Sequence, residues 1–213
     1  MNLKSIFPDI TAAQNQQLAR YCALVEEWNR KVNLVSRQDT EHLWAHHILP
    51  SAIALKSVKI PPESWLLDIG SGGGFPAIPI KILRPDLQIL MVDSIRKKKL
   101  FLQKVISDLG LEKISVMNDR IEYLAQNPDF QQKFNLVTAR AVAPIANLVD
   151  WGKPFLQGKG GYLLWKGTSD IAELKTVAEK VRLQFEVLPV SEKFRFLSPK
   201  FEELRFFRIR LSD

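Results

Sequence analysis

The stretch LLDIGSGGGFP, Leu66–Pro76, decides how the rest of the chain is read. An apolar run ends in an aspartate and then breaks into four glycines, at 70, 72, 73 and 74. Gly70, Gly72 and Gly74 have no Cβ, so the backbone can turn sharply there and lie against a ligand. The run before them reads as a strand buried on both faces. Pro76 suits the first position of a following helix, and Pro79 is compatible because it still falls in the first turn. The unpaired N–H groups of that turn favour an anionic or polar ligand group.

Further along, the same alternation repeats. Strands are predicted at WLLDIG (65–70), QILMVD (88–93), ISVMND (114–119), FNLVTARA (134–141) and GYLLWKG (161–167). Helical stretches separate them at about 76–84, 95–110, 144–157 and 169–185. Short apolar strands joined by helices argue for a parallel sheet covered on both faces. FEVLPV (185–190) and ELRFFRIRL (203–211) have no helix between them. They predict an antiparallel edge hairpin across the loop SEKFRFLSPKF. Upstream, Gln14–Val32 is an amphipathic helix with Leu18, Tyr21, Cys22, Val25 and Trp28 near one face, capped by Asp9 or Thr11. A second helix is predicted from Thr40 to Lys56, before the rigid break at Pro61–Pro62. The expected organisation is a helical extension over residues 1–62 and a Rossmann-like α/β domain over 63–213. Its sheet has seven strands, mostly parallel with an antiparallel end.

In such a sheet, ligands bind beyond the carboxyl ends of the strands, where the strand order reverses. The dinucleotide fingerprint G-x-G-x-x-G would need glycine at 75, where Phe75 stands. No lysine followed by serine or threonine succeeds the glycines, which excludes a P-loop. Asp93 closes the second strand, where a carboxylate can accept hydrogen bonds from ribose hydroxyls. A nucleoside-containing cofactor fits, and a nicotinamide or flavin dinucleotide stays open on the residues alone.

Composition bounds the rest. The 213 residues suit one α/β domain, and 46% hydrophobic with 25% charged residues is ordinary for a globular protein. No apolar run approaches the ~18–20 residues needed to span a bilayer. The amino terminus lacks a basic segment followed by an apolar run, so no secretory signal is expected. The single Cys22 cannot form an intramolecular disulfide, which fits a cytoplasmic setting. A net charge of +7 suits a polyanionic partner.

Read together, the D-x-G-x-G-x-G loop and Asp93 resemble class I S-adenosyl-L-methionine-dependent methyltransferases. WNRKVNLVS (28–36), HHILPS (46–51), DSIRKKKLFL (93–102), RIEYL (120–124) and TARAVAP (138–144) narrow the resemblance to the RsmG (GidB) family. These are bacterial 16S ribosomal RNA guanine-N7 methyltransferases acting in the 530 loop. The resemblance spans residues from about 20 to 210. It implies cofactor contacts at Gly70 and Phe75, at Asp93, Ser94 and Ile95, at Ile121 and Glu122, and at Arg140. Phe75 is expected to wall the site, and Asp68 to act near the methionyl end or to order the loop. One departure stands out: Pro50 replaces the aspartate usual in the family's HILDS motif, removing any carboxylate that would orient the neighbouring histidine.

The implied substrate is 16S rRNA or the small ribosomal subunit, and the implied enzyme is a monomer without metal. Guanine N7 carries a lone pair and no proton, so its methylation needs no general base. NPDF at 127–130 does not reproduce an exocyclic-amine motif. Arg120, Arg140, Lys166 and Arg205 match functionally important positions of the family and are the candidate catalytic cations. The run RKKK (96–99) opposes the dipole of the helix it opens, which points to phosphate contact. The tail FRFLSPKFEELRFFRIR interleaves phenylalanine with cations, as a base-stacking surface or an amphipathic strand does. His42 and His46 stand at i, i+4 without a third metal ligand, and His47 is expected near the cofactor mouth. Trp28, Trp44 and Trp151 read as helix-face core. Two other functions remain open: a class I methyltransferase acting on a small molecule or protein, and a non-catalytic nucleotide-binding module.

Overall fold

The structure, a computed structural model, describes residues 3–211. Helix α1 runs Ala12–Asn29. Thr11 is its cap: Gln14 N donates to Thr11 Oγ1 at 3.1 Å, and Thr11 N to Gln14 Oε1 at 3.0 Å. The helix stops three residues short of Val32 because the Asn29 side chain draws the chain back. Its Oδ1 accepts the N–H groups of Leu34 and Val35 at 2.8 and 3.0 Å.

The second predicted helix is corrected. Residues Arg37–His42 form a 3-10 helix, Trp44–Ile48 a π turn and Leu49–Ser57 helix α2. Pro50 has no N–H to give the His46 carbonyl four residues back, so one regular ladder cannot run through it.

Strands and helices then alternate: β1 Trp65–Ile69, α3 Ala77–Leu83, β2 Gln88–Val92, α4 Arg96–Asp108, β3 Ile114–Met117 and α5 Ile121–Leu124. They continue as β4 Phe134–Arg140, α6 Ile145–Gly152, β5 Leu156–Gly167, α7 Ile171–Val181, β6 Leu183–Pro189, α8 Glu192–Arg195 and β7 Leu204–Leu211. The seven strands lie in the order β3-β2-β1-β4-β5-β7-β6. The first five are parallel, and β7 is antiparallel to both β5 and β6. The terminal hairpin therefore forms as expected, with its second strand inserted against β5.

Three boundaries differ. β5 begins five residues before the expected 161, because Leu156 pairs with Phe134 ahead of an irregularity and the ladder resumes at Gly161 opposite Leu136. A Cβ at Gly161 would stand 2.4 Å from the Ile209 carbonyl oxygen, so only glycine lets β7 approach there. The helix expected over 144–157 ends at Gly152, and a 3-10 turn at Lys153–Phe155 follows. Helix α7 ends at Val181 because Arg182 turns left-handed at φ 51° and starts β6 early.

Two buried clusters sandwich the sheet. One joins Leu18, Tyr21 and Val25 of α1 and Ile48, Leu49 and Ile53 to Ile78, Phe101, Trp165 and Phe206. The other gathers Ile121, Leu148, Tyr162, Leu174, Phe207 and Ile209 under α5, α6 and α7. The amino-terminal helices thus share a core with the sheet, and Trp165 Nε1 donates to the Pro50 carbonyl across that contact at 2.9 Å. Cys22 is buried on α1, and burial pushes its thiol up to about 12.

Candidate functional site

Strand order reverses between β1 and β4, and the glycine loop leaves β1 at that point. Gly70 N and Ser71 N donate to the Val92 carbonyl at 2.9 and 3.1 Å, tying the loop to β2. Gly74 N donates back to the Ser71 carbonyl at 2.6 Å, closing a tight turn. Two glycines show why side chains are absent here. Gly74 has φ +91°, and a Cβ there would meet Ile78, Leu102 and the Tyr21 hydroxyl at 2.7–2.9 Å. The protein itself presses on that position. Gly72 has φ +55° but no atom nearer to a Cβ than the Gly70 carbonyl oxygen at 3.8 Å, so its bare face is open. Pro76 stands one position before its expected place, as the N-cap of α3 after a cis Phe75–Pro76 bond, and Pro79 falls in the first turn.

A crevice of about 210 Å³ opens beside the loop at the carboxyl ends of β1, β2 and β3. Gly70, Asp93, Ser94, Arg120, Ile121 and Glu122 line it, with Val142 and Trp151. The sheet brings these residues together from the ends of four strands, β1 to β4, and α6 adds Trp151. Trp151 is thereby more than helix-face core. A second cavity of about 250 Å³ lies at the opposite edge of the sheet, around Lys59, Pro61, Asn135 and Arg208, away from the glycine loop.

The Asp93 carboxylate is buried and already engaged. Its Oδ2 accepts Gly72 N and its Oδ1 accepts Ile95 N, both at 2.8 Å, so it holds the loop to the start of α4. Each oxygen keeps further acceptor capacity. Asn118 Nδ2 donates to the Asp93 carbonyl at 2.8 Å and fixes the same turn from β3. Ser94 is exposed at the rim, Ile95 is exposed beside it, Ile121 is buried and Glu122 is exposed.

Phe75 departs from the expectation that it walls the crevice. Its ring packs into the amino-terminal cap, 5.1 Å from the Tyr21 ring and 4.7 Å from His47. The Tyr21 hydroxyl, which donates to the Gly73 carbonyl, holds the loop's far end against α1.

Asp68, one residue before the end of β1, is buried beneath the loop. Thr138 Oγ1 on β4 donates to its Oδ1 at 2.7 Å, while Oδ2 has no partner. Burial pushes this carboxyl up to about 7, against the hydrogen bonds that favour its anion.

Of the four candidate cations, three stand on adjacent strands β4, β5 and β7 at the carboxyl edge, with environments that differ. Arg140 ends β4, and the chain turns away through Ala141 at φ 54°. Its Nη2 donates to the His46 carbonyl, and its Nη1 is enclosed without a partner. Burial pulls it down to about 10, so it stays cationic at neutral pH. Lys166 and Arg205 are cross-strand neighbours on β5 and β7. Lys166 Nζ reaches the Ala143 carbonyl at 3.2 Å and Asp170 at 3.6 Å. The Arg205 guanidinium turns back onto the Glu202 and Leu204 carbonyls at 2.7 and 2.9 Å. Arg120 is separate from them, exposed at the head of α5 on the crevice rim. Arg96 and Lys97 open α4 with exposed side chains, and the first turn holds no acidic residue.

Sequence reasoning missed Asp39. It supplies the carboxylate that Pro50 lacks, accepting from His46 Nδ1 at 2.5 Å and lying 3.6 Å from His47 Nε2. Lys200 Nζ, far along the chain, joins Asp39 at 3.0 Å. Burial would push the Asp39 carboxyl up, but hydrogen bonds from Lys200, Ser36 and His46 outweigh it and hold the group well below the usual carboxylate range. Burial, with Arg140 nearby, lowers His47 to about 3 and keeps it neutral. The only sequence signal was an acidic residue seven positions before the histidine pair. Among the described residues no group of three or more His, Cys, Asp or Glu is arranged to hold a metal. No helix among them is long and apolar enough to cross a membrane.

Comparison with known proteins agrees with this geometry. The profile of the GidB family, described as rRNA small subunit methyltransferase G, matches residues 14–195. A ribosomal RNA small subunit methyltransferase G from Lachnoclostridium phytofermentans is 39% identical, covering 83% of this chain and 73% of its own. The protein of that name from Clostridium novyi is 32% identical, covering 100% of this chain and 87% of its own. Among solved structures, a SAM dependent methyltransferase from Aquifex aeolicus aligns with a TM-score of 0.61 at 11% identity, covering 83% of this chain and 96% of that one. That likeness carries the fold alone.

Proposed function

The chain belongs to the GidB family, rRNA small subunit methyltransferase G, and from that membership we propose that it methylates N7 of a guanine in the 530 loop of 16S ribosomal RNA, using S-adenosyl-L-methionine. The observation that carries this reading is the crevice at the strand-order switch, where Gly70, Asp93, Arg120, Ile121 and Glu122 meet. In this reading the helices of residues 1–62 cap a methyltransferase unit of residues 63–213. The enzyme works as a monomer in the cytoplasm, on 16S rRNA or the small subunit.

The residues present fit the cofactor. Gly72 leaves open a space that a Cβ would fill. Asp68 Oδ2 and Arg140 Nη1 are a buried acceptor and a buried donor without partners, matching the ammonium and carboxylate of a methionyl group. Asp93, with Ser94 and Ile95, would hold the ribose side, and Ile121 with Glu122 the adenine edge. When bound, the cofactor supplies an electrophilic methyl group to the N7 lone pair.

The protein's own task is placement and exclusion of water, because N7 has no proton to remove. Arginine usually reads guanine through O6 and N7 together, a contact that would block the reacting atom. The base-reading cation among Arg120, Arg140, Lys166 and Arg205 therefore engages O6 or phosphate and leaves N7 free. Arg140, enclosed beside the loop, serves cofactor and base together. Arg96, Lys97, Lys98 and Lys99 meet phosphates of the RNA.

The test uses tritiated S-adenosyl-L-methionine and small subunits from a strain lacking this gene. Borohydride–aniline treatment breaks RNA at 7-methylguanosine. One break in the 530 loop is the expected result. Methyl incorporation without a break would overturn the N7 assignment, and no incorporation into subunits or free rRNA would overturn the RNA substrate.

A further inference from the structure

Phe196 is 82% exposed, the most exposed large apolar side chain among the described residues. It lies in the connection from β6 to β7. Because β7 runs antiparallel to β5, this connection crosses the carboxyl edge of the sheet, the edge that also carries the crevice, Arg140 and Lys166. The segment is anchored on both sides of Phe196. Val190, Phe194, Ser198 and Phe201 are all buried, and Lys200 is tied to Asp39 of the amino-terminal cap. A ring kept in water on a pinned segment gives the fold nothing, since burial is what makes phenylalanine stabilising.

The chemistry of the surroundings narrows the partner. Across 190–203 the cations Lys193, Arg195 and Lys200 are balanced by Glu192, Glu202 and Glu203. Lys200 is engaged with Asp39, Arg195 Nε donates to the Val190 carbonyl at 3.3 Å, and Lys193 sits over the Phe194 ring. The segment therefore has no excess charge with which to draw phosphates. It offers one preorganised aromatic face, which suits the face of an unpaired base. We infer that Phe196 is a stacking platform for an unpaired base of the RNA substrate near the target guanine. This rests on the RNA reading above. It concerns a residue just past the stretch matched by the family profile, which ends at Arg195.

Three variants test it: Phe196→Ala, Phe196→Leu and Phe196→Trp. All three should melt with the parent protein, because the side chain is outside the core. Losing one stacked base should raise KM for small subunits at least about fivefold in the alanine and leucine variants. Their kcat and cofactor affinity should stay at the parent values. The KM ratio should hold across salt concentrations, since no phosphate contact is lost. Phe196→Trp should restore KM, and its fluorescence should be quenched by a 530-loop RNA fragment. An unchanged KM in Phe196→Ala would overturn the inference. So would a leucine variant as good as phenylalanine, which would indicate an apolar contact with a ribosomal protein. If the parent transfers no methyl to any RNA, the activity reading fails, and the tryptophan signal alone decides: quenching supports stacking, and its absence rejects it.

Discussion

Arg140 Nη2 donates to the backbone carbonyl of His46, 94 positions earlier in the chain. That carbonyl is available because Pro50, four residues on, has no N–H to give it. The proline that interrupts the second helix thus leaves an acceptor facing the end of β4, and Asp39 secures the histidine from the other side.

Arg140→Lys should lower kcat/KM for small subunits about 10- to 100-fold, the scale of one lost hydrogen bond to a charged group. Lysine keeps the charge but lacks the fork that engages His46 while presenting Nη1. Steady-state kinetics beside a thermal melt separates this from unfolding. Parent-like turnover would remove Arg140 from the site.

Gly74→Ala and Gly72→Ala should fail in different ways. A Cβ at 74 meets Ile78, Leu102 and the Tyr21 hydroxyl, so it should cost about 1–3 kcal/mol of stability. At 72 the space is open and the backbone cost is only about 1 kcal/mol. The loss there should appear as weakened S-adenosyl-L-methionine binding. Urea melts and calorimetric titration of both variants check the contrast. Equal destabilisation with equal cofactor affinity would contradict it.

Asp68 should make the cofactor-free protein less stable as pH rises. Its folded value of about 7 lies above the unfolded 3.8, so the folded state retains a proton that the unfolded state has released. The contribution is fully present below about pH 4 and is lost as pH rises to about 7. The slope approaches ~1.4 kcal/mol per pH unit. Asp68→Asn cannot ionise, so its urea stability should gain on the parent's across that window. Parallel curves would show that Asp68 does not titrate in the folded protein.

The exposed Arg96 and Lys97 should set part of the salt dependence of RNA binding. Replacing both with glutamine should flatten the plot of log KM against log salt by about 1.5, two phosphate contacts' worth. Cofactor affinity should not move. An unchanged slope would make the pair a solvated helix start.

Some of the molecule was legible in particular residues. The run Leu66–Ile69 followed by glycines announced a buried strand and a sharply turned loop after it, because no other residue accepts φ +65° and φ +55° as readily. Asp93 was legible at the second strand end, though its hold on Gly72 N was not. Phe75 was misplaced because its direction depends on Tyr21 and His47, which approach from a different part of the chain.

Local pattern by itself determined the strand–helix alternation, the antiparallel tail and the loop at the first strand end, since periodicity, glycine and proline act within a few residues. The motifs also carried the family. The tertiary structure alone decided which face each cation shows, that Asp39 and Lys200 meet over 161 positions, and that Phe196 stays outside while Phe194 and Phe201 are buried. These outcomes depend on which distant elements pack together, and burial energy is a property of that packing, which the order of residues along the strand does not display.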